Sequence, residues 1–328
     1  MYTITVDHGA GNLKVKGALG HIIEPTRAAT VNGERLGRST GLRRASPPLQ
    51  IASEGWQFYV GENAHDWGRA IENLDDARFA TGAPGVKAIT YAALTRYMQL
   101  KSIHYITDVE MWVALPQTAL SEDTGDATAR GVRAWLEGPH TWTADGESYN
   151  LEIDKVKITT QVAGAMFDYL LTDDGAYIPA RTEHFKGEMG IISIGMNTVE
   201  LLGIKNRTVS QRFTKGETLG VRRLLDLTDP QQLYTRGELD NMLRSGSLDI
   251  GDALPIWAAE VAGMIEKRWG NAWKRFSAVI AVGGGALLLR DMLLTTFNGK
   301  AYIPEDPVMS IANGLYKLSN GHKRSQAA

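Results

Sequence analysis

Three short glycine-bearing segments hold the residues best suited to chemistry in this chain. In VDHGAGNLKVKG, Asp7 stands where an alternating run of β-branched and aromatic residues ends, and Gly9 and Gly11 follow it. Lacking Cβ atoms, such glycines let backbone amides close on a phosphate, and Asn12 and Lys14 can point at the same anion. A carboxylate beside a phosphate calls for a cation between them. Magnesium keeps waters that a carboxylate can hold, which makes Asp7 a candidate metal anchor. The same residues also suit an ordinary Asp-Gly hairpin turn with Lys14 in solvent.

The second segment, IISIGMNTVELLGI, offers Gly195, Asn197 and Thr198. Backbone amides, a side-chain amide and a hydroxyl are all phosphate donors. The third, AVGGGALLLRD, sets Gly283, Gly284 and Gly285 between an apolar strand and an apolar helix. Three consecutive glycines cost conformational entropy. Close backbone contact with a flat ligand or its phosphates would justify them, and so would a tight strand-to-helix connection.

The elements that must position these turns follow from periodicity. Residues 2–6 and 13–15 read as two strands around the first turn. Val86, Ile89, Ala93, Tyr97 and Leu100 have helical spacing over residues 85–101, and VEMWVALP at 109–116 reads as a buried strand for that helix to cover. A helix is expected between Ser121 and Glu137, then a hairpin over 141–153 turning at Asp145-Gly146. A second half is expected from Val156, with a short strand, a helix over 163–171 and a strand-turn-strand over 190–204. Trp257, Val261, Met264 and Ile265 give an amphipathic helix, and Pro304 and Pro307 precede a last helix over 310–318. The strand-turn-strand unit thus occurs twice, as two similar halves around a cleft would require. Residues 33–48 are rich in Gly, Arg and Ser and read as a mobile, basic surface excursion; Arg35 to Arg44 is a candidate for subunit or adaptor contact, or a solvated loop.

Composition narrows the classes. At 328 residues and 43% hydrophobic, the chain has room for two cores. Its 35 basic and 37 acidic residues leave a net charge of -2, which gives no global attraction to nucleic acid or anionic membrane. The absence of cysteine excludes disulfides and thiolate chemistry. With no signal-like N-terminus and no apolar run of membrane-spanning length, a soluble, cytoplasmic protein without direct nucleic-acid contact is expected.

VDHGAGNLKVKG resembles the first phosphate loop of actin-like ATPases, most of all the plasmid-segregating ParM branch and its archaeal relatives, with Asp7, Gly9, Asn12 and Lys14 matching. Gly195, Asn197 and Thr198 resemble the second phosphate loop, Gly283 to Gly285 the adenosine motif, and DPVMSIANGLYKL the closing helix. The resemblance implies an α/β, actin-like (ribonuclease H-like, duplicated) fold with two domains around a nucleotide cleft. Residues 1–155 plus 315–328 would form the first domain, with a smaller subdomain at about 33–60, and 156–314 the second. It adds Ala10 and Gly11 to the first loop and Ser193 and Met196 to the second. It also makes Gln161 the residue that orients the attacking water, and places Lys215 and Glu217 beside the base. A neutral amide cannot act as a base, so Gln161 would act by alignment. The family usually has aspartate where Ser193 stands, which implies slow or differently arranged hydrolysis; Glu200, across the turn in sequence, is read as a poor substitute. The implied function is a filament-forming ATPase using ATP or GTP with Mg2+, polymerising with itself and moving plasmid DNA through an adaptor. The alternatives are a small-molecule kinase of the same superfamily and a non-hydrolysing, nucleotide-dependent scaffold.

Overall fold

The fold is taken from a computed structural model that describes residues 1–31, 46–71, 76–121 and 123–327. Two sheets dominate. The larger has ten strands, in the order 20–25, 12–17, 2–8, 105–115, 147–160, 138–144, 49–53, 56–60, 28–30 and 69–71. The smaller has six, running 208–209, 199–205, 188–194, 278–282 and 301–302, with 215–217 paired to 199–205.

Each sheet is built around the same unit. Tyr2–His8 pairs antiparallel with Asn12–Gly17 and parallel with Tyr105–Leu115. Glu188–Ile194 likewise pairs antiparallel with Val199–Lys205 and parallel with Ala278–Val282. Ala278–Val282 is apolar and buried at all its positions, as a strand covered on both faces is. The hairpin after Gly138–Ala144 turns at Asp145 and Gly146, with φ of 51° and 90°. Positive φ at both positions is the two-residue turn that matches strand twist.

The expected restart near Val156 is absent. Val156 lies inside the strand Glu147–Thr160, which stays paired with Tyr105–Leu115 up to Thr160↔Leu115. Its alternation of buried and exposed residues suits a strand of the first sheet, and the helix Gln161–Leu170 begins directly at its end. The other expected helices appear at Pro84–Gln99, Gly125–Leu136, Ala253–Trp269 and Ser310–Ala327. Most of the basic segment, Arg35 to Arg44 included, lies outside the described residues; the flanking strands Leu49–Ser53 and Trp56–Val60 extend the first sheet.

Three cores follow. One lies under the helix Pro84–Gln99 on the first sheet, and one under Val221–Thr228 and Ala253–Trp269 on the second. The third joins them, with Trp112 and Ala114 of the first sheet and Ile191 and Ile280 of the second meeting across Val162, Ala165, Ile311 and Leu315. The helices Gln161–Leu170 and Ser310–Ala327 cross in this joint at Gly164 and Gly314. A Cβ on Gly314 would fall 1.8 Å from the Gly164 carbonyl oxygen, so main chain touches main chain. Thr5 Oγ1 donates to the Ala312 carbonyl at 3.0 Å, tying the last helix to the first strand.

Gly314→Val is expected to destabilise the protein by roughly 3 kcal/mol, because the overpacked group is backbone and cannot rotate away. Gly263→Ala, in the helix Ala253–Trp269 where an added Cβ meets nothing within 4 Å, should stabilise by about 0.5–1 kcal/mol. Denaturant midpoints of the two variants check both signs.

Candidate functional site

Each candidate loop emerges at the carboxyl end of a strand, the edge at which parallel sheets leave a crevice. The first turn follows Tyr2–His8, the second Glu188–Ile194 and the third Ala278–Val282. Gln161 follows Glu147–Thr160, while Pro116 and Thr118 follow Tyr105–Leu115. These loops enclose a cavity of about 810 Å³, within the range of small-molecule and cofactor sites.

The first turn is tight. The Gly9 amide lies 3.1 Å from both the Asp7 and Asn12 carbonyls, and a Cβ at Gly9 would come within 2.7 Å of the Asn12 carbonyl. Asp7 is fully buried, and both its oxygens are occupied: Lys14 Nζ donates to Oδ2 at 2.9 Å and Gln161 Nε2 to Oδ1 at 2.8 Å. Strand register makes Asp7 and Lys14 direct cross-strand partners. Gln161 is held as the first residue of its helix, whose N-cap hydroxyl, on Thr160, accepts from Ala163 N. A buried carboxylate is tolerable only with such partners.

His8, to which sequence reading assigned no role, also lines the cavity, with its ring 4.0 Å from that of Phe79. Burial first, and the nearby Lys14 ammonium second, push its imidazole down to a pKa of about 3 against a hydrogen bond that raises it, so it is neutral near pH 7. Among the described residues neither His8 Nε2 nor Asn12 Oδ1 has a hydrogen-bond partner, although both atoms are buried. Buried polar atoms are rarely left so, and at the wall of the cavity a ligand can satisfy them.

The second turn is fastened from behind. The amides of Gly220, Val221 and Arg222 donate to the carbonyls of Asn197, Gly195 and Met196, fixing the loop on the start of the helix Val221–Thr228. Gly195, Met196, Asn197, Thr198 and Ser193 all line the cavity. Ser193 pairs directly with Glu200 across the hairpin, but Ser193 lines the cavity and Glu200 does not. Residues paired this way have Cβ atoms about 5 Å apart. Glu200 is fully buried, and its Oε1 accepts from the Gln117 amide at 2.8 Å.

At the third turn the glycines divide the work. Gly283 has φ 90°, and its Cβ would fall 2.4 Å from the Ile194 carbonyl oxygen. Gly285 does not line the cavity; a Cβ there would meet Ile194 Cγ2 at 2.2 Å, so this glycine serves packing. Gly284 lines the cavity, and its Cβ would meet nothing within 4 Å, which leaves bare backbone facing open space. Lys215 is likewise not brought to the cavity: it is exposed on the strand Lys215–Glu217, opposite Leu201, while Gly216 and Glu217 line the wall. Sequence reading missed Thr118, Asp240, Leu243, Arg244, Leu287 and Leu288. Asp240 and Arg244 sit one turn apart on the helix Arg236–Ser245, which starts with a capping box at Thr235 and Glu238 and overhangs the cavity.

Among the described residues no cluster of three or more histidine or acidic side chains could hold a metal unaided. One carboxylate, Asp7, between glycine turns fits instead a magnesium ion that arrives on phosphates with its own waters. No helix of the described residues is long and apolar enough to cross a membrane.

Comparison with known proteins follows the same lines. Residues 5–164 match the family of actin like proteins, N terminal domain. No curated protein matches the sequence. Among solved structures, an apo ParM from pSK41 superposes with a TM-score of 0.74 at 15% identity, covering 100% of this chain and 99% of that one. An archaeal actin homologue in complex with ADP gives 0.72 at 19%, covering 100% of both. A 15-stranded ParM filament from Clostridium botulinum gives 0.74 at 17%, covering 98% and 99%. These likenesses show the fold.

The His8 shift predicts a pH dependence of stability. Its folded pKa of about 3 lies below the ordinary histidine value of 6.5, so the unfolded chain binds the proton more tightly and stability falls as pH drops below about 6.5. Denaturant unfolding at pH 7 and pH 5 should show a smaller loss for His8→Asn than for the native chain.

Proposed function

For a chain with an actin-like N-terminal domain over residues 5–164 and the actin-like fold throughout, we propose a nucleoside triphosphatase that assembles into filaments with copies of itself. The observation that carries the reading is the meeting of two glycine hairpin tips, residues 9–11 and 195–198, with Asp7, Lys14 and Gln161 at one wall of the cavity. On this reading the triphosphate lies between the tips. The base lies against the bare backbone of Gly284 and the apolar wall of Leu243, Leu287 and Leu288. Glu217, Asp240 and Arg244 are polar groups available to the sugar and base edge.

Asp7 holds Lys14 and Gln161 before any ligand arrives, so the site is organised in advance. A magnesium ion carried in with the phosphates would neutralise part of their charge, with Asp7 receiving its waters. Gln161 gives an amide hydrogen to Asp7 and keeps its amide oxygen for the attacking water. In hydrolysis the water oxygen bonds to the γ-phosphorus, the bond to the β–γ bridging oxygen breaks, and the nucleoside diphosphate departs with inorganic phosphate. Alignment and charge stabilisation supply the catalysis. We place the boundary between the two domains at Thr160 and Gln161, with the last helix returning to the first domain.

The assembly half of the proposal is supported by the solved filament of a similar ParM, and the nucleotide half by the ADP complex of the archaeal homologue. One chain stacked head to tail makes an open polymer without closing a ring. Plasmid segregation through a DNA-binding adaptor in the cytoplasm, with ATP or GTP, is the cellular task in keeping with this. Ser193, buried where the resemblance implies an aspartate, favours a second reading in which nucleotide is bound and hydrolysed barely at all, and the polymer serves as a scaffold.

Right-angle light scattering and phosphate release are followed together with magnesium and ATP, GTP or no nucleotide. Scattering that rises only with a triphosphate is expected, and nucleotide bound without scattering would overturn the filament. Asp7→Asn should weaken magnesium-nucleotide affinity by about ten-fold or more; unchanged affinity refutes its role. Gln161→Ala should slow hydrolysis by about a hundred-fold with binding largely kept. Gly284→Leu should abolish binding without lowering the melting temperature, since the added side chain enters open space.

A further inference from the structure

The cavity wall carries two charged side chains that the phosphate end does not use, Glu217 and Arg244. Glu217 ends the short strand Lys215–Glu217, opposite Val199 in the register. Among the described residues its carboxylate has no hydrogen-bond or ion-pair partner. Arg244 is held differently. Its Nε donates to Asp240 Oδ2 at 2.9 Å, and Asp240 is itself buried and paired with Arg27 from the other lobe. A guanidinium pinned through Nε keeps its two Nη groups side by side for a further acceptor.

Both residues border one apolar slot. Leu219, two positions after Glu217, and Leu243, one before Arg244, line the cavity and pack with Leu288 onto the core of the second lobe. The Leu219 carbonyl accepts from Trp257 Nε1 at 2.8 Å, and the Gly220 amide donates to the Asn197 carbonyl. The segment that follows Glu217 is thereby tied both to the core and to the second hairpin tip. A planar ring seated in this slot, against the bare backbone of Gly284, meets a carboxylate and a guanidinium at its edges.

A carboxylate accepts two hydrogen bonds side by side and gives none, whereas a guanidinium gives two and accepts none. Guanine offers the matching sets, a donor pair at N1–H and the 2-amino group and an acceptor pair at O6 and N7. Adenine sets its 6-amino donor between the N7 and N1 acceptors. It has no two adjacent donors for the carboxylate and no two adjacent acceptors for the guanidinium, and a site whose polar groups are left unmatched rejects the ligand that leaves them so. We infer that Glu217 and Arg244 read guanine, Glu217 across N1–H and the 2-amino group and Arg244 across O6 and N7, and that the nucleotide selected is a guanosine phosphate. The assignment rests on the nucleoside triphosphatase reading and narrows its substrate. Asp240 is the positioning residue that aims Arg244, with Arg27 holding Asp240 in place.

The test is calorimetric titration of the full-length protein with guanosine, inosine and adenosine diphosphates, each with magnesium. The inosine base keeps N1–H, O6 and N7 and lacks only the 2-amino group. The guanosine diphosphate is expected to bind about ten-fold or more tightly than the adenosine one, with the inosine one between them. Glu217→Gln should bring the guanosine and inosine affinities together, and Arg244→Gln should weaken both alike by about ten-fold, with melting temperatures checking that each variant is folded. Adenosine diphosphate bound as tightly as guanosine diphosphate by the native chain overturns the assignment. Guanosine and inosine diphosphates bound equally by the native chain overturn the Glu217 contact without any variant. An equal loss of guanosine and adenosine diphosphates in Glu217→Gln also overturns it, since that carboxylate then serves the ribose. Binding of none of the three brings down the triphosphatase reading as well, so the two failures differ.

Discussion

A fully buried carboxylate has to be answered by partners, and in this protein the answer organises the site. Asp7 takes Lys14 from the second strand and Gln161 from the start of a helix more than 150 residues away in sequence. Leaving such a charge unpaired costs several kcal/mol. The end of the first strand, the start of the second and the first residue of the helix Gln161–Leu170 are therefore held in one relation. The glycine tip between Asp7 and Asn12 can then present backbone without spending its own stability on orientation.

Around this fixed point the two sheets repeat one plan with different chemistry. In the first hairpin the position before the turn is Asp7, charged and paired; in the second the matching strand end holds Ser193, with Glu200 drawn onto the Gln117 amide. The second lobe thus supplies loop backbone fastened by a helix start, and the first supplies charge. One cavity wall recruits polarity while the other recruits shape, Gly284 and the leucines beside it giving a flat apolar surface.

Much of this was legible in the sequence because local rules and global fold agree. Strand alternation, the Asp145-Gly146 turn and the glycine clusters each mark an element that the fold uses as read. What could not be read depends on register and on distance through space. That Ser193 faces the cavity while its strand partner Glu200 does not is a matter of packing that spacing along the chain leaves open. Val156 looked like a beginning because apolar residues resume there, yet the strand had started at Glu147. Three consecutive glycines suggested three ligand contacts. Gly285 is instead required by the Ile194 side chain, a demand that only packing reveals. The helix that carries Asp240 and Arg244 was not read from the sequence, and its placement over the cavity is set by tertiary packing.

The crossing of Gly164 and Gly314 has a mechanical side. Side chains at most helix contacts can change rotamer and absorb small shifts, whereas two main chains in contact have no such slack. The last helix, 18 residues from Ser310 to Ala327, is about 27 Å long and is clamped near its start. At its far end Lys323 reaches the Met1 carbonyl and Arg324 reaches Asp174. Held without slack at the crossing and tied at its far end, it is built as a strut: a tilt of either lobe would be carried along its whole length to the surface where the first residue and Asp174 lie.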